Sequence, residues 1–559
     1  MSILSVKDLK VFYGSLEAVK GVSLEIAAGE TLAIVGESGC GKSSLALAIP
    51  RLLAEPPATV RAESVRICGQ EVAGAERAAL RPLRGCVVGT VFQDPMTALS
   101  PLHRIGRQIA EAVTLHRKAT RQELDAITHD WLKRVGISDP ARVARSYPHE
   151  LSGGMQQRVM IAMAMVNNPS LLIADEPTTA LDAITQAQVL ELMRGLVGKE
   201  RALLLVTHDM GVVRRMATRV AVMHDGEIVE TAPREELFEN PRHPYTRELL
   251  AAIPPKRSPL RPPSGGTLPT SVRQAPLVQN AASRPVGAVL QTAPARGAGR
   301  EAPPALVAQD LRVWFPVRGG LFSRTVSHVK AVDGVSFTLQ EGEVLSIVGE
   351  SGSGKTTLTR AILGLAPLHS GSFRLFGQDP AAAGAAERRA MRRSLQVVFQ
   401  DPFASLNPRH TVLELVTGAM VAQGLVSRRE APAEARRLLA EAGLPGDILD
   451  RLPHEFSGGQ RQRIAIARAM ALSPRTVICD EAVSALDLSI RAHILRLLLD
   501  LRDRHGLSYL FITHDLAVAR MISNRIAVMH GGRFVEEGPA EDVLDNPQSD
   551  YTRALLAAN

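Results

Sequence analysis

Long apolar runs are missing from this 559-residue sequence. A helix that crosses a bilayer needs about 18 or more consecutive apolar residues, and the longest candidates, such as Val159 to Val166, are the size of a buried helix core. A chain that does not itself cross a membrane is expected. The first ten residues mix Lys7, Asp8 and Lys10 with isolated apolar side chains, so the apolar stretch and small-residue cleavage site of a secretory signal are missing too. Cysteine is scarce: Cys40, Cys68, Cys86 and Cys479 form no CxxC pair and have no histidines at metal-site spacing. Neither a zinc site nor a disulfide framework is expected, and the four read as small buried apolar side chains.

Excess positive charge is also scarce outside one stretch. Of the net charge of +8, residues 254–304 hold Lys256, Arg257, Arg261, Arg273, Arg284, Arg296 and Arg300 against the single acid Glu301, so the rest of the chain is nearly neutral. That argues against nucleic acid as a partner, and a basic connector near an anionic membrane surface explains the charge as well. The same stretch has eleven prolines, no aromatic residue and no periodicity. It reads as a disordered, semi-extended linker. The composition elsewhere, 45% hydrophobic and 22% charged overall, is that of a folded chain with several domains.

The linker separates two halves that repeat. Gly36-Glu37-Ser38-Gly39-Cys40-Gly41-Lys42-Ser43-Ser44 returns as Gly349-Glu350-Ser351-Gly352-Ser353-Gly354-Lys355-Thr356-Thr357, and the PHELSGG at Pro148 returns as PHEFSGG at Pro453. ADE at Ala174 and THD at Thr207 return as CDE at Cys479 and THD at Thr513. Nearly constant offsets mean duplicated domains, with boundaries expected at 1–253 and 305–559. Short apolar runs at Thr31 to Val35, Leu171 to Ala174 and Ala202 to Val206, with longer patterned stretches between them, indicate buried parallel strands in an α/β domain.

The glycine-rich string fits a P-loop, because a β-branched strand precedes it and a helix former follows. Its backbone N–H groups turn inward around phosphate oxygens. Lys42 and Lys355 reach the β and γ phosphates, and Ser43 and Thr356 are candidate Mg²⁺ ligands. Gly36, Ser38, Gly39, Gly41 and Ser44, with Gly349, Ser351, Gly352, Gly354 and Thr357, complete the two cradles for ATP. The strands ending in Asp175-Glu176 and Asp480-Glu481 place one acid to hold Mg²⁺ and the next to polarise the attacking water. Ser152-Gly153-Gly154 and Ser457-Gly458-Gly459 open helices whose glycine amides suit a phosphate, and Ser152 can cap its helix. His208 and His514 follow apolar strands, where an imidazole can hydrogen-bond a γ-phosphate.

The order of these motifs, with Gln93 in FQDP and ADEPTTALD at Ala174, resembles the nucleotide-binding domain of ABC transporters, twice over. The resemblance implies two tandem P-loop ATPase domains of α/β fold joined by the disordered proline-rich linker. It implies that Gln93 and Gln400 bind Mg²⁺ and contact a membrane partner, and that Tyr13 and Phe315 stack on adenine. Asn240-Pro241-Arg242-His243-Pro244-Tyr245-Thr246 and the Gln93 to Pro101 string are similar to the peptide, opine and nickel importer subfamily, and the layout resembles the fused ATPases of Yej-type peptide importers. An ATPase energising an importer, on the cytoplasmic face of the inner membrane, follows from that resemblance. So do two transmembrane permease subunits as partners, an extracytoplasmic solute-binding protein, no nucleic acid, and membrane contact only through the permeases. Nickel-chelate or opine cargo stays open, as does, more remotely, a soluble twin ATPase acting on ribosomes. The stretches Met96 to Arg104 and Phe403 to His410, with Met96, Leu99, Phe403 and Leu406 exposed, are the expected docking surface. The second half has Ala482 where the first has Pro177, and no cysteine follows Tyr245, so an iron–sulfur site is not expected.

Overall fold

The computed structural model describes residues 2–179, 181–251, 303–319, 324–401, 405–484, 486 and 488–558. The linker expected over 254–304 lies outside the described residues apart from Pro303 and Pro304.

Each half is built on a six-stranded sheet. In the first half the order is Glu227–Pro233, Arg219–His224, Thr31–Val35, Ala202–Val206, Leu171–Asp175, Val88–Val91, and only the Glu227–Pro233 edge is antiparallel. The second half repeats it as Arg533–Pro539, Arg525–His530, Val344–Val348, Ser508–Thr513, Thr476–Asp480, Leu395–Val398. The three apolar runs singled out in the sequence form the central strands.

Both faces of these strands are covered, which is why they read as continuous apolar runs rather than alternating ones. Leu171, Ile173, Leu204 and Val206 point into a core shared with the antiparallel strands Ser2–Tyr13 and Leu16–Ala27. Leu172, Ala174, Leu203 and Leu205 point the other way, into a core shared with the helices Ile105–Thr114, Arg121–Arg134 and Gly153–Met165. Successive residues serve opposite faces, as strand geometry requires. The second half divides its core likewise, Ile478, Leu510 and Ile512 on one face and Val477, Cys479, Tyr509 and Phe511 on the other.

Parallel strands put their carboxyl ends on one edge, and that is where open α/β sheets gather ligand-binding loops. The phosphate loop follows Thr31–Val35, the acid pair ends Leu171–Asp175, His208 follows Ala202–Val206 and Gln93 follows Val88–Val91. The cysteine expectation holds only in part. Cys40 and Cys479 are buried, whereas Cys86 is half-buried and Cys68 is exposed, in a turn with a left-handed φ of 49°. Among the described residues no helix is long and apolar enough to cross a membrane.

The halves touch through the second half's last helix, Asp550–Ala558. Ala183, at the start of the first-half helix Ala183–Val197, joins a core with Val348, Leu516 and Leu555, and Ile184 packs beside Tyr551 and Leu556. Arg215 adds a hydrogen bond to the Ala557 carbonyl at 3.3 Å.

Candidate active site

The phosphate loop is made by backbone that only glycine can supply. Gly41 sits at φ 102° as the cap of the helix Lys42–Ala48. A Cβ there would lie 2.2 Å from the Ala18 carbonyl oxygen, and at Gly354 it would lie 2.1 Å from that of Ala331. The loop therefore approaches the neighbouring strand too closely for any side chain. Lys42 is buried, and its Nζ donates to the carbonyls of Gly36 at 2.8 Å and Glu37 at 2.7 Å. Lys355 does the same with Gly349 at 2.8 Å and Glu350 at 2.6 Å. Burial lowers the Lys355 pKa, opposed by the charges of Glu481, Asp182, Asp480 and Glu350. Ser38 and Gly39, with Ser351 and Gly352, form the outer turn of each loop.

Side chains from the ends of three strands and from the helix after the loop meet beside it. Ser43 Oγ donates to Asp175 Oδ1 at 3.0 Å, and Thr356 Oγ1 to Asp480 Oδ1 at 3.4 Å. Gln93 Nε2 donates to Glu176 Oε2 at 3.1 Å, and Gln400 Nε2 to Glu481 Oε2 at 2.9 Å. His208 Nδ1 lies 3.0 Å from Glu176 Oε1, and His514 Nδ1 lies 3.4 Å from Glu481 Oε2. Thr179 Oγ1 adds a hydrogen bond to Glu176 Oε2 at 2.8 Å. Both glutamates sit at left-handed φ, 45° for Glu176 and 49° for Glu481. Residues without glycine's freedom hold such backbone only where their surroundings over-determine it.

Adjacent acids are driven in opposite directions. Burial pushes Asp175 up to about 6; the Ser43 hydrogen bond and Lys42 oppose the rise, and the Glu176 charge adds to it. Burial also acts to raise Glu176, but the hydrogen bond and charge of His208, then Thr179 and Lys42, outweigh it and hold this carboxyl at about 2. The second half follows: burial and Glu481 raise Asp480, while His514 and Lys355 overcome burial and lower Glu481. Carboxyls driven apart side by side make this edge of the sheet the candidate for acid–base chemistry.

The remaining candidates do not join this cluster. Tyr13 stands instead against the helix that follows the loop: its hydroxyl lies 3.3 Å from Ser44 Oγ. Phe315 occupies the matching place before the second loop with its ring exposed, at 43%. Ser152 and Ser457 cap their helices, accepting from the backbone N–H groups of Met155 and Gln460 at 3.4 Å. Gly153, Gly154, Gly458 and Gly459 form the first turns behind them. Two of the expected docking residues are corrected: Leu99 and Leu406 are each 1% exposed and belong to the cores, because their loops fold them inward, whereas Met96 is 56% exposed. Phe403 lies outside the described residues.

The sequence leads one to expect the halves to pair head to tail, each ATP lying between the P-loop of one half and the SGG helix of the other, but it does not single out Thr179 or Asp182. The cleft over the second phosphate loop, about 320 Å³, is lined by Lys355, Gln400, Glu481 and His514, and also by Thr179 and Asp182 of the first half. Only the recurrence of Ala-Leu-Asp after each acid pair hinted that this turn had a task.

Comparison with known proteins agrees with this geometry. The family described as ABC transporter matches residues 19–179 and 332–484. The family described as the C-terminal region of oligopeptide/dipeptide transporters matches 229–277 and 535–559. A peptidoglycan transport ATP-binding protein, YejF of Agrobacterium fabrum, is 45% identical, the match covering 100% of this chain and 96% of that protein. A glutathione import ATP-binding protein, GsiA of Escherichia coli K12, is 44% identical over 100% of this chain and 89% of its own length.

Proposed function

The chain belongs to the ATP-binding proteins of the ABC transporter family and is an ATPase with two ATP-binding cassettes, and from that premise we propose that it energises the import of peptides or peptide-like solutes. The observation that carries the reading is the repeated constellation of lysine, hydroxyl, paired acids, glutamine and histidine on the carboxyl edge of each sheet, together with the C-terminal segments that match the oligopeptide/dipeptide transporter family.

The phosphate loops bind the nucleotide through their amides, with Lys42 and Lys355 on the phosphates and Tyr13 and Phe315 beside the base. The donor set next to each loop fits Mg²⁺: a hydroxyl and a carboxylate 3.0 Å apart at Ser43 and Asp175, repeated at Thr356 and Asp480, with the Gln93 and Gln400 amides adjoining. When bound, the cation offsets charge on the β and γ phosphates. Glu176 and Glu481 orient and deprotonate the attacking water, and His208 and His514 contact the γ-phosphate. Head-to-tail pairing gives each ATP a loop from one half and the glycine amides of the other, Ser457 and Gly459 for the first site, Ser152 and Gly154 for the second. The presence of Thr179 and Asp182 in the cleft over the second loop supports that pairing.

Coupling requires transmembrane permease partners at the membrane's cytoplasmic face, and Met96 and Leu102 are exposed apolar contacts offered to one of them. An extracytoplasmic binding protein supplies the cargo. The test is uptake of labelled di- and tripeptides and glutathione in cells deleted for this chain and complemented with it. Uptake should return with the wild-type chain and not with Lys42→Ala/Lys355→Ala. Unchanged uptake of the whole panel on deletion would set the peptide reading aside.

A further inference from the structure

The segment that follows each antiparallel edge strand folds back onto a phosphate loop. The helix Pro244–Ala251 carries Tyr245, whose hydroxyl accepts the Glu37 backbone N–H at 3.2 Å. In the second half Tyr551, on the helix Asp550–Ala558, accepts the Glu350 N–H at 3.2 Å. Each ring also rests on a histidine, with centroids 3.9 Å apart for Tyr245 and His224 and 4.1 Å for Tyr551 and His530. Those histidines follow Met223 and Met529, whose carbonyl oxygens lie within 2.1 and 2.2 Å of where a Cβ on Gly36 or Gly349 would stand. The tyrosine is therefore clamped between the floor of the loop and the loop itself.

One peptide unit is held from both ends. The Gly36–Glu37 oxygen accepts Lys42 Nζ at 2.8 Å while its N–H donates to Tyr245. The Gly349–Glu350 unit is held in the same way by Lys355 and Tyr551. The tyrosines are themselves on anchored segments: Glu230 accepts the N–H groups of Arg242 and His243 at 2.8 and 2.9 Å, and Glu536 those of Gln548 and Ser549 at 2.8 and 3.0 Å. The arrangement recurs although Arg242-His243-Pro244 in one half is Gln548-Ser549-Asp550 in the other. The two segments share, among other residues, the tyrosine, the histidine under it and the glutamate that anchors the turn.

We propose that Tyr245 and Tyr551 are positioning residues that fix the Gly36–Glu37 and Gly349–Glu350 peptides, and with them the phosphate-contacting lysines, so that the C-terminal segment of each half tunes its nucleotide affinity. A loop held in its binding geometry binds without a further ordering cost. The inference rests on the phosphate loops being the nucleotide sites.

The test uses the full chain with Tyr245→Phe and Tyr551→Phe, singly and together, because phenylalanine keeps the ring on its histidine and removes only the hydroxyl. The double variant should raise the Kd for a fluorescent ATP analogue and the KM for ATP by about three- to tenfold, the range one hydrogen bond carries, and leave kcat within about twofold. Hydrogen exchange should quicken in the peptide spanning Gly36 to Lys42 for Tyr245→Phe alone and in that spanning Gly349 to Lys355 for Tyr551→Phe alone. Wild-type affinity with unchanged loop exchange would overturn the proposal. So would loosening spread over the whole chain, which marks a general packing role, or a fall in kcat at unchanged KM. If Lys42→Ala/Lys355→Ala binds the analogue as the wild type does, the loops are not the nucleotide sites, and the inference falls together with that reading.

Discussion

Both carboxylate oxygens of Glu176 are engaged by protein: His208 Nδ1 lies 3.0 Å from Oε1, and Gln93 Nε2 donates to Oε2 at 3.1 Å. Against burial, the His208 hydrogen bond and charge, with Thr179 and the Lys42 charge, hold this carboxyl at about 2, too acidic to take a proton well from water near neutral pH. A His208 that turned to a γ-phosphate would remove the largest influence opposing burial, which raises a carboxyl's pKa, and leave only Thr179 and Lys42 against it. On that scheme the base should gain strength as His208 finds the nucleotide, so that hydrolysis waits on an assembled site.

The glutamates are the first test of that scheme. Glu176→Gln/Glu481→Gln keeps the loop amides, the lysines and the Asp175 and Asp480 carboxylates, and removes only water activation. ATP binding should persist while phosphate release falls by about two orders of magnitude or more. Turnover near wild type would take both residues out of the mechanism.

A second prediction concerns pH and magnesium. Burial raises Asp175 to about 6, so below that pH the carboxyl holds a proton and cannot ligate a cation; Asp480 moves in the same direction. At low Mg²⁺, phosphate release should fall as pH drops through about 6. More Mg²⁺ should carry this acidic limb to lower pH, because cation and proton compete for one carboxylate. Rate profiles measured over about a hundredfold range of Mg²⁺ that superimpose would count against Asp175 and Asp480 as ligands.

The docking loop gives a third, in which burial decides between two neighbours. Met96 is 56% exposed, so Met96→Glu should leave the fold and basal ATPase intact and uncouple uptake. Leu99 is 1% exposed in a core with Ile105, Ile109 and Val159, so Leu99→Ala should cost about 2–5 kcal/mol of stability. Thermal melts and uptake on the two variants separate the roles, and a destabilised Met96→Glu would place that side chain in the core.

Most of this site is legible in the sequence because its chemistry is local. Gly41, Lys42 and Ser43 are consecutive, Asp175 and Glu176 are adjacent, and the run from Leu171 to Ala174 announces the strand that delivers them. What was not legible depends on how a loop turns in three dimensions. Leu99 and Leu406 sit in polar, proline-punctuated strings that read as surface, yet both fold inward. Cys68 reads as a core residue and stands exposed in a turn. Tyr245 belongs to a recognisable string, but its partner Glu37 is 208 residues away, a distance that no local pattern spans.

The last prediction concerns how the halves share their sites. Thr179 and Asp182 of the first half line the cleft over Lys355, and the charge of Asp182 acts on Lys355 and Glu350. A residue from one half acting on the lysine of the other is what composite sites require. Under head-to-tail pairing, Lys42→Ala and Ser457→Arg damage the same site, whereas Lys42→Ala and Ser152→Arg damage both. The first pair should reduce the ATPase rate little more than either change alone, since a site already disabled cannot be disabled again. The second pair should remove the residual rate, and the coupling energies of the two cycles should differ accordingly. Ser152 and Ser457 are exposed helix caps, so the arginines cost the fold one cap hydrogen bond, about 1 kcal/mol, and otherwise obstruct the approach of a phosphate. If the first pair abolishes the rate and the second does not, each ATP is enclosed within a single half, and Asp182 reaches the second loop for another reason.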